Sequence, residues 1–293
     1  MSLLSPAPAD RILSKPELFP FDKWDSVLNR LASEYKSAEP FPHIHLTDFL
    51  ETAVAGRIRR EFPDPADAQW IHYRHYNENK LAMSRRDLFP AATRRLIDAL
   101  ESPRFIQWLS VLTGIPNLIA DCDLEGGGMH QSTRNGFLNI HSDFTTHHHH
   151  PDWRRRVNLI LYLNEDWDPG WGGAIQLWDA TMRECVVRIA PLFNHALIFN
   201  TDETSYHGCP EKLTCPDGVT RKSLALYYYT VQNDLSYAAQ STNYRARPCD
   251  SMLRSGLIRL DKIAVGWYSK LKSKLGLSDR LAGRLLGLSN RRR

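Results

Sequence analysis

The sequence predicts a mainly β fold, a sandwich or jelly roll with flanking helices, and three observations carry that expectation. From Ile119 onward, short runs rich in Ile, Val, Leu and Tyr alternate with clusters of Gly, Pro, Asn and Asp, as in strands punctuated by turns. Upstream of that point, apolar residues recur at three-to-four spacing, the signature of helices with one buried face. With 293 residues, 42% of them hydrophobic, the chain can bury a sizeable core in one large domain with appendages or in two small domains.

Taken in order, residues 1–20 contain Pro and Ala without periodicity and read as an arm. A helix is expected over FDKWDSVLNRLASEYK, where Trp24, Val27, Leu28 and Leu31 share a face, ended by Pro40 and Pro42. FPHIHL reads as a short strand. Thr47 or Asp48 would cap a helix through FLETAVAGRIRREF, closed by Pro63. WIHYRHYN reads as a second strand, followed by a helix from Pro90 to about Leu112. Gly126-Gly127-Gly128 precedes Met129, His130 and Gln131 in the strand region. It marks a bend or a close approach to a ligand, and no helix start follows to make it a phosphate loop. The clearest strands are then GFLNIHSDF, RVNLILYLN, AIQLWD, ECVVRIA, HALIFN and SLALYYYT. There is no internal repeat, and the only low-complexity segment is His147 to His150.

Charge divides the chain unevenly. Residues 245–293 hold 13 Lys/Arg against 3 Asp/Glu, so that segment is +10; with a chain total of +4, residues 1–244 are −6. Any inference about nucleic acid or membranes therefore belongs to the tail alone. The five cysteines, Cys122, Cys185, Cys209, Cys215 and Cys249, form no C-x-x-C pair, so free thiols in a reducing compartment are expected. The first residues lack the basic start and apolar core of a secretory signal. No apolar run reaches the roughly 18 residues of a spanning helix. A cytoplasmic location is the expectation.

The residues that carry chemistry are His141 and Asp143, with His207 far downstream. Two neutral imidazoles and one carboxylate suit one face of an octahedral iron(II), leaving other positions open. In a strand, residues i and i+2 point the same way, so His141 and Asp143 can reach one ion together, and His207 must arrive on an adjacent strand. Taken alone, H-x-D is a weak signal, and a lone strand histidine has core or surface roles. Arg221 opens the apolar run Ser223 to Tyr229, where a cation would suit an acidic co-substrate. Lys222 adjoins it, and only one of the two can face inward.

These parts occur in a recognisable order: H-x-D, the Tyr162-Leu163-Asn164 strand end, Trp167-Asp168, Gly172-Gly173, His207-Gly208-Cys209-Pro210 and the Arg221 strand start. Across roughly residues 42–232 the chain resembles the prolyl 4-hydroxylase-like branch of the 2-oxoglutarate/Fe(II) dioxygenase superfamily. The resemblance implies a double-stranded β-helix (jelly roll/cupin-like), with the N-terminal helices packed on one sheet and a basic helical extension at the C-terminus. It implies that His141, Asp143 and His207 are catalytic iron ligands, that Arg221 binds the distal carboxylate of 2-oxoglutarate, and that Tyr162 donates its hydroxyl to the same carboxylate. It favours Arg221 over Lys222. Gly172-Gly173 would be a tight turn into the next strand. The gap between His207 and Arg221 exceeds the family's by several residues, and Lys212 to Val219 reads as a surface loop. Fe(II), 2-oxoglutarate and dioxygen are the implied reactants, with ascorbate as a reductant. The leading acceptor is a prolyl or similar residue of a protein or peptide; a free amino acid or small biosynthetic intermediate is the alternative. A non-catalytic scaffold of the same fold is a third reading, which the intact triad disfavours.

Other polar residues read more plainly. The four histidines 147–150 cannot all converge on one ion and read as a solvated loop. His130 and His195 read as hydrogen-bonded sheet histidines, and Trp153, Trp167, Trp171 and Trp178 as packing residues. Arg134, Arg154, Arg155 and Arg156 read either as a basic rim at the mouth or as a solvated charge run. The division expected is an arm and helix at 1–41, the catalytic domain at 42–235 and a basic amphipathic tail at 236–293. In the tail, Leu253, Leu257, Leu260, Ile263, Trp267, Leu271 and Leu275 recur at helical spacing with Lys and Arg between them. It would pack on the catalytic domain or a partner helix, lie on an anionic membrane surface, or touch nucleic acid or an acidic protein through Arg291-Arg292-Arg293. No nucleic-acid module is recognisable.

Overall fold

A computed structural model describes residues 18–232 and 240–275, with side chains described up to residue 264. Most of the N-terminal arm and the Arg291-Arg292-Arg293 cluster lie outside those residues.

The chain begins with α1 (Phe21–Asp25), α2 (Leu28–Ser37), β1 (His43–Leu46) and α3 (Thr52–Arg60). A hairpin, β2 (Ile71–His75) and β3 (Glu78–Met83), leads to α4 (Ala91–Leu100) and α5 (Pro103–Thr113). Then come β4 (Ile119–Ala120), β5 (Gly128–Ser132), β6 (Phe137–Ser142), β7 (Trp153–Tyr162), β8 (Ile175–Trp178) and β9 (Cys185–Ile189). The last elements are β10 (His195–Asn200), β11 (His207–Cys209), β12 (Arg221–Val231), β13 (Asn243–Tyr244) and α6 (Met252–Leu275). All strand pairs are antiparallel, in the order β1-β10-β7-β12-β5-β3-β6-β11-β8-β9. This sheet folds over on itself as the expected jelly roll.

The alternation of side chains along the strands divides the molecule. On β7, Leu159 and Leu161 face out; on β10, Ala196 and Ile198; on β12, Leu224, Leu226 and Tyr228. All join the main core with Leu96, Leu100, Phe105 and Leu109 of α4 and α5. Each such aliphatic side chain contributes about 1.5–3 kcal/mol on burial, so this sandwich of helices on sheet dominates stability. The opposite face of the same strands, with Ile160, Tyr162, Leu197 and Phe199, looks inward toward Ile175, Leu177 and Ile189 of β8 and β9. The functional cavity opens between these two inner faces. Phe19, Phe21, Trp24, Leu31 and Tyr35 also pack into the main core, so α1 and α2 are part of the same body as the sheet.

Several boundaries differ from expectation for local reasons. The helix expected from Thr47 or Asp48 begins only at Thr52. Before it can start, Asn194 pins the chain: its backbone carbonyl accepts from Phe49 N (2.9 Å), and its side chain bonds both Leu50 N (3.0 Å) and Leu50 O (2.7 Å). The helix expected from Pro90 to Leu112 is two helices. Ser102 caps the second by accepting from Phe105 N, Pro103 follows at its first position, and Gly114 ends it at φ 69°, each residue suited to its place. The first helix likewise breaks at Ser26–Val27. β3 is not marked in the sequence, because ENKLAM runs three polar residues into three apolar ones instead of alternating.

Candidate active site

β11 pairs with β6 so that His207 lies directly opposite His141, and their rings are 4.6 Å apart between centroids. Asp143 follows two residues after His141, on the same side. Each histidine is oriented by its own backbone. The Nδ1 of His141 donates to Asn139 O and that of His207 to Ser205 O, both at 2.9 Å. A carbonyl can only accept, so the proton sits on Nδ1 and each Nε2 turns its lone pair toward Asp143. The two Nε2 atoms are 3.5 Å from Asp143 Oδ1 and Oδ2 respectively. The three donor atoms lie within 4.8 Å of one another, a set that can hold one metal ion while leaving a face open.

Asp143 is held from behind. Asn158 Nδ2 donates to Oδ2 (2.7 Å) and the Arg155 guanidinium lies 3.1 Å from it. Burial alone would raise the carboxyl, but the Arg155 guanidinium holds it well below the usual carboxylate range. Burial pushes His207 down to about 4, so it is neutral, as a ligand must be.

The cavity in front of these residues is lined by β5, β6, β7, β8, β11 and β12. At its inner end Arg221 points in, whereas Lys222 turns away to Thr220 Oγ1. Arg221 is fixed by Nε donating to Gly173 O (2.8 Å) and Nη2 to Cys209 Sγ (3.4 Å). Gly173 adopts φ 77°, and a Cβ there would stand 2.8 Å from Leu213 Cδ2 and 3.0 Å from Arg221 Cδ. The Gly172-Gly173 turn therefore holds the arginine as well as leading into β8. Among the described residues, no carboxylate lies within ion-pair distance of Arg221. The Tyr162 hydroxyl is buried near this guanidinium, which is 5.0 Å from the Tyr162 ring, and it finds no acceptor. A buried guanidinium without an anion is costly, and a buried hydroxyl without a partner adds to that cost. Together they fit an anionic group that the polypeptide does not supply.

Several expectations need correction here. His147 is not solvated: it is buried, its Nε2 is 3.2 Å from Asp121 Oδ1, and its Nδ1 accepts from His149 N and His150 N. Because Nδ1 must offer a lone pair, the proton is on Nε2 and donates to Asp121. That tautomer disfavours a metal at the Asp121, Asp123 and His147 group, although those donors also lie within 4.8 Å of one another. His130 is hydrogen-bonded to the Gly126 backbone as expected, while its Nε2 is buried without a partner in the cavity wall. Burial, aided by Lys80, pushes it down to about 3. His195 is hydrogen-bonded as expected, Nδ1 to His45 Nε2 at 3.0 Å. The segment Lys212 to Val219 is a surface loop as expected, anchored by Leu213 and Cys215, which are buried with Trp167; Leu213 closes the cavity beside Gly173.

Arg155 belongs to neither reading of its arginine run, being fully buried. Opposite Tyr228 and Tyr229 the β7 register slips, so that Tyr228 faces Val157 while Tyr229 faces Arg155. This bulge re-aims Arg155 inward, where its guanidinium lies 3.4 Å from the centroid of the Tyr227 ring. Lys80, Asn158 and Tyr227 also line the cavity and were not singled out from sequence. Only Asn158 left a signal, as a lone amide in an apolar strand. The C-terminal segment completes the mouth. β13 pairs with β6, placing Tyr244 opposite His141 and 5.5 Å from its ring, and Thr242 and Tyr244 line the outer vestibule with Tyr73, Phe144 and Arg155.

Residues 127–229 match the model of the 2OG-Fe(II) oxygenase superfamily, a segment that holds the histidine–aspartate–histidine site and Arg221. The segment that carries the site is thus similar to the 2OG-Fe(II) oxygenases. Among solved structures, it is similar to a prolyl hydroxylase from Trichoplax adhaerens in complex with a hypoxia inducible factor oxygen degradation domain peptide. Identity is 15%, covering 74% of this chain and 94% of that one, with a TM-score of 0.50. A Pseudomonas putida prolyl-4-hydroxylase matches at 19% identity over 70% of this chain and 99% of that one, with a TM-score of 0.48. The Trichoplax likeness supports the same jelly-roll fold. No curated protein matches the chain in sequence.

Proposed function

We propose that the protein hydroxylates an unactivated C–H bond in a prolyl or similar residue of a protein or peptide. His141, Asp143 and His207 hold the metal; Arg221 binds the distal carboxylate of 2-oxoglutarate through its planar fork, and the Tyr162 hydroxyl donates to the same carboxylate. The observation that carries this reading is that the three-donor metal set and the Arg221 guanidinium, which has no carboxylate within ion-pair distance among the described residues, line one cavity. An ion and a dicarboxylic acid together satisfy both.

When bound, iron(II) and 2-oxoglutarate supply the oxidation: dioxygen gives one atom to succinate, with release of carbon dioxide, and one to the hydroxylated product. The chain's own residues do the rest. Asn158 and Arg155 hold Asp143 ionised and fixed in rotation. The two Nδ1–H donors keep His141 and His207 in the tautomer that faces the ion. Leu213, Ile160 and Ile175 line the inner chamber and exclude water around the co-substrate. Tyr73, Phe144 and Tyr244 provide aromatic walls where an extended acceptor would lie. The acceptor class is supported by fold relatives alone. We take residues 42–235 as the centre of the catalytic unit, completed by α1 and α2 in its core and by Tyr244 at its mouth, in the cytoplasm, with ascorbate as the reductant that keeps iron(II) available.

The test is succinate formation from 2-oxoglutarate by anaerobically prepared protein given iron(II), ascorbate and oxygen, with and without peptide fractions of a source-cell extract. Stimulation by a peptide fraction supports the reading. Stimulation only by a fraction of small metabolites would replace the acceptor class and keep the chemistry.

A further inference from the structure

The basic tail is only partly absorbed by the catalytic body, and the way it docks exposes what is left over. One arc of α6 faces the body. Ile258 is buried, and Asp261 accepts from His75 Nδ1 (2.7 Å), Asn77 Nδ2 (2.7 Å) and Asn77 N (3.2 Å). On the same side Arg254 pairs with Asp250 and Lys262 donates to Asn243. At 100° per residue, these positions fill an arc distinct from that of Met252, Leu253, Leu257, Leu260 and Ile263. That second arc is between 37% and 93% exposed and holds five of the nine large apolar residues exposed among those described. The other four, Tyr76, Val111, Val186 and Val231, are scattered.

The charges are segregated as well. Asp261 is the only acid of α6, and it is spent on His75 and Asn77. Asp250, just before the helix, is held by Arg247 and Arg254. The outward arc therefore offers no carboxylate, while Arg259 flanks it without a carboxylate partner among the described residues. In sequence, Trp267, Leu271 and Leu275 continue the apolar spacing, and residues 262–275 contain Lys262, Lys270, Lys272 and Lys274 with no acid. Two such helices packed together would oppose like charges. A layer that is apolar below and anionic above matches both features, and no helix among the described residues is long and apolar enough to cross a membrane.

We propose that α6 lies on an anionic lipid bilayer surface, with Leu253, Leu257, Leu260 and Ile263 buried among the acyl chains and the flanking cations among the headgroups. The catalytic body is then held at the membrane through β13 and the Asp261–His75 contact. This surface is separate from the metal centre, so its test is independent of the catalytic reading.

The experiment is vesicle flotation of the full chain with phosphatidylcholine alone and with phosphatidylcholine containing about one-third phosphatidylglycerol. The expected result is at least a tenfold preference for the anionic vesicles, reduced by high salt. Leu257→Asp/Leu260→Asp should abolish it, and Val186→Asp, on β9, should leave it intact. Unchanged melting temperature and 2-oxoglutarate binding show that the double variant is folded. Should it not fold, Arg259→Glu, which spares the apolar arc, must still weaken binding to anionic vesicles and shift its salt dependence. Equal binding to both vesicles, or none to either, overturns the proposal. So does a wild-type oligomer in solution that the double variant converts to monomer without any vesicle binding, which would make the arc a protein–protein face.

Discussion

Two arginines, the buried Arg155 at the outer vestibule and the partly buried Arg221 in the wall of the inner cavity, have opposite electrostatic standing. Arg155 has its counter-charge within the protein: Asp143 lies 3.1 Å away, the Asn158 side chain accepts from its Nε (2.9 Å), and Tyr227 stacks beneath it. Arg221 has a carbonyl, a thiol and Tyr162, none of them an anion. Both are kept charged against burial, Arg155 chiefly by Asp143 and Arg221 by no carboxylate at all. The first arginine is built to tune a ligand; the second is built to receive one. A fold that tolerates an unpaired, partly buried guanidinium gains from it only when an anion arrives.

That contrast can be broken in several ways. The largest effect is expected from Asp143→Ala, which should abolish turnover with the fold retained; persistent succinate formation would remove the carboxylate from the metal set. Next, Arg221→Ala should weaken 2-oxoglutarate binding by about 30- to 1000-fold, the scale of losing a buried charge-assisted pair, as measured by calorimetry. Arg155→Ala should leave that affinity within a few-fold and instead weaken metal retention. Asn158→Ala should lower metal affinity by about 10- to 100-fold, as outer-sphere partners of ligands do, read by competition with a chelator. If Arg155→Ala and Arg221→Ala behave alike, the distinction between them is wrong.

A smaller effect concerns the tail. His75 donates through both ring nitrogens, to Asp261 and to Glu78, so it is an imidazolium. Burial would lower it, but these two carboxylates lift it to about 9 from 6.5. The proton that stabilises the folded state is therefore fully in place below pH 6.5, and its contribution disappears as pH rises through 9. Hydrogen exchange of α6 should accelerate across that window by an amount on the order of 1–2 kcal/mol. His75→Gln should flatten the dependence.

Much of this contrast was legible in the sequence, and the parts that were not share a cause. H-x-D on a strand, a distant histidine and a basic strand start are signals of local spacing, and β6, β11 and β12 deliver them in the expected register. Tyr162 and Arg221 came from resemblance, and the structure brings them within reach of each other. Arg155 was hidden because a one-residue bulge decides which of three consecutive arginines turns inward, and a bulge depends on the partner strand. His147 was hidden because its burial comes from Asp121, 26 residues away. The β3 strand, which supplies Lys80, lacks an apolar pattern because it lines a polar cavity. Local pattern found the elements, and tertiary pairing chose the side chains.

The most direct test of the account is a calorimetric titration of 2-oxoglutarate into the anaerobic protein with and without iron(II), for the wild type, Arg221→Ala and Lys222→Ala. The account predicts tight binding that requires both the metal and Arg221 and is nearly indifferent to Lys222. Metal-independent binding, or loss of binding only in Lys222→Ala, would contradict it.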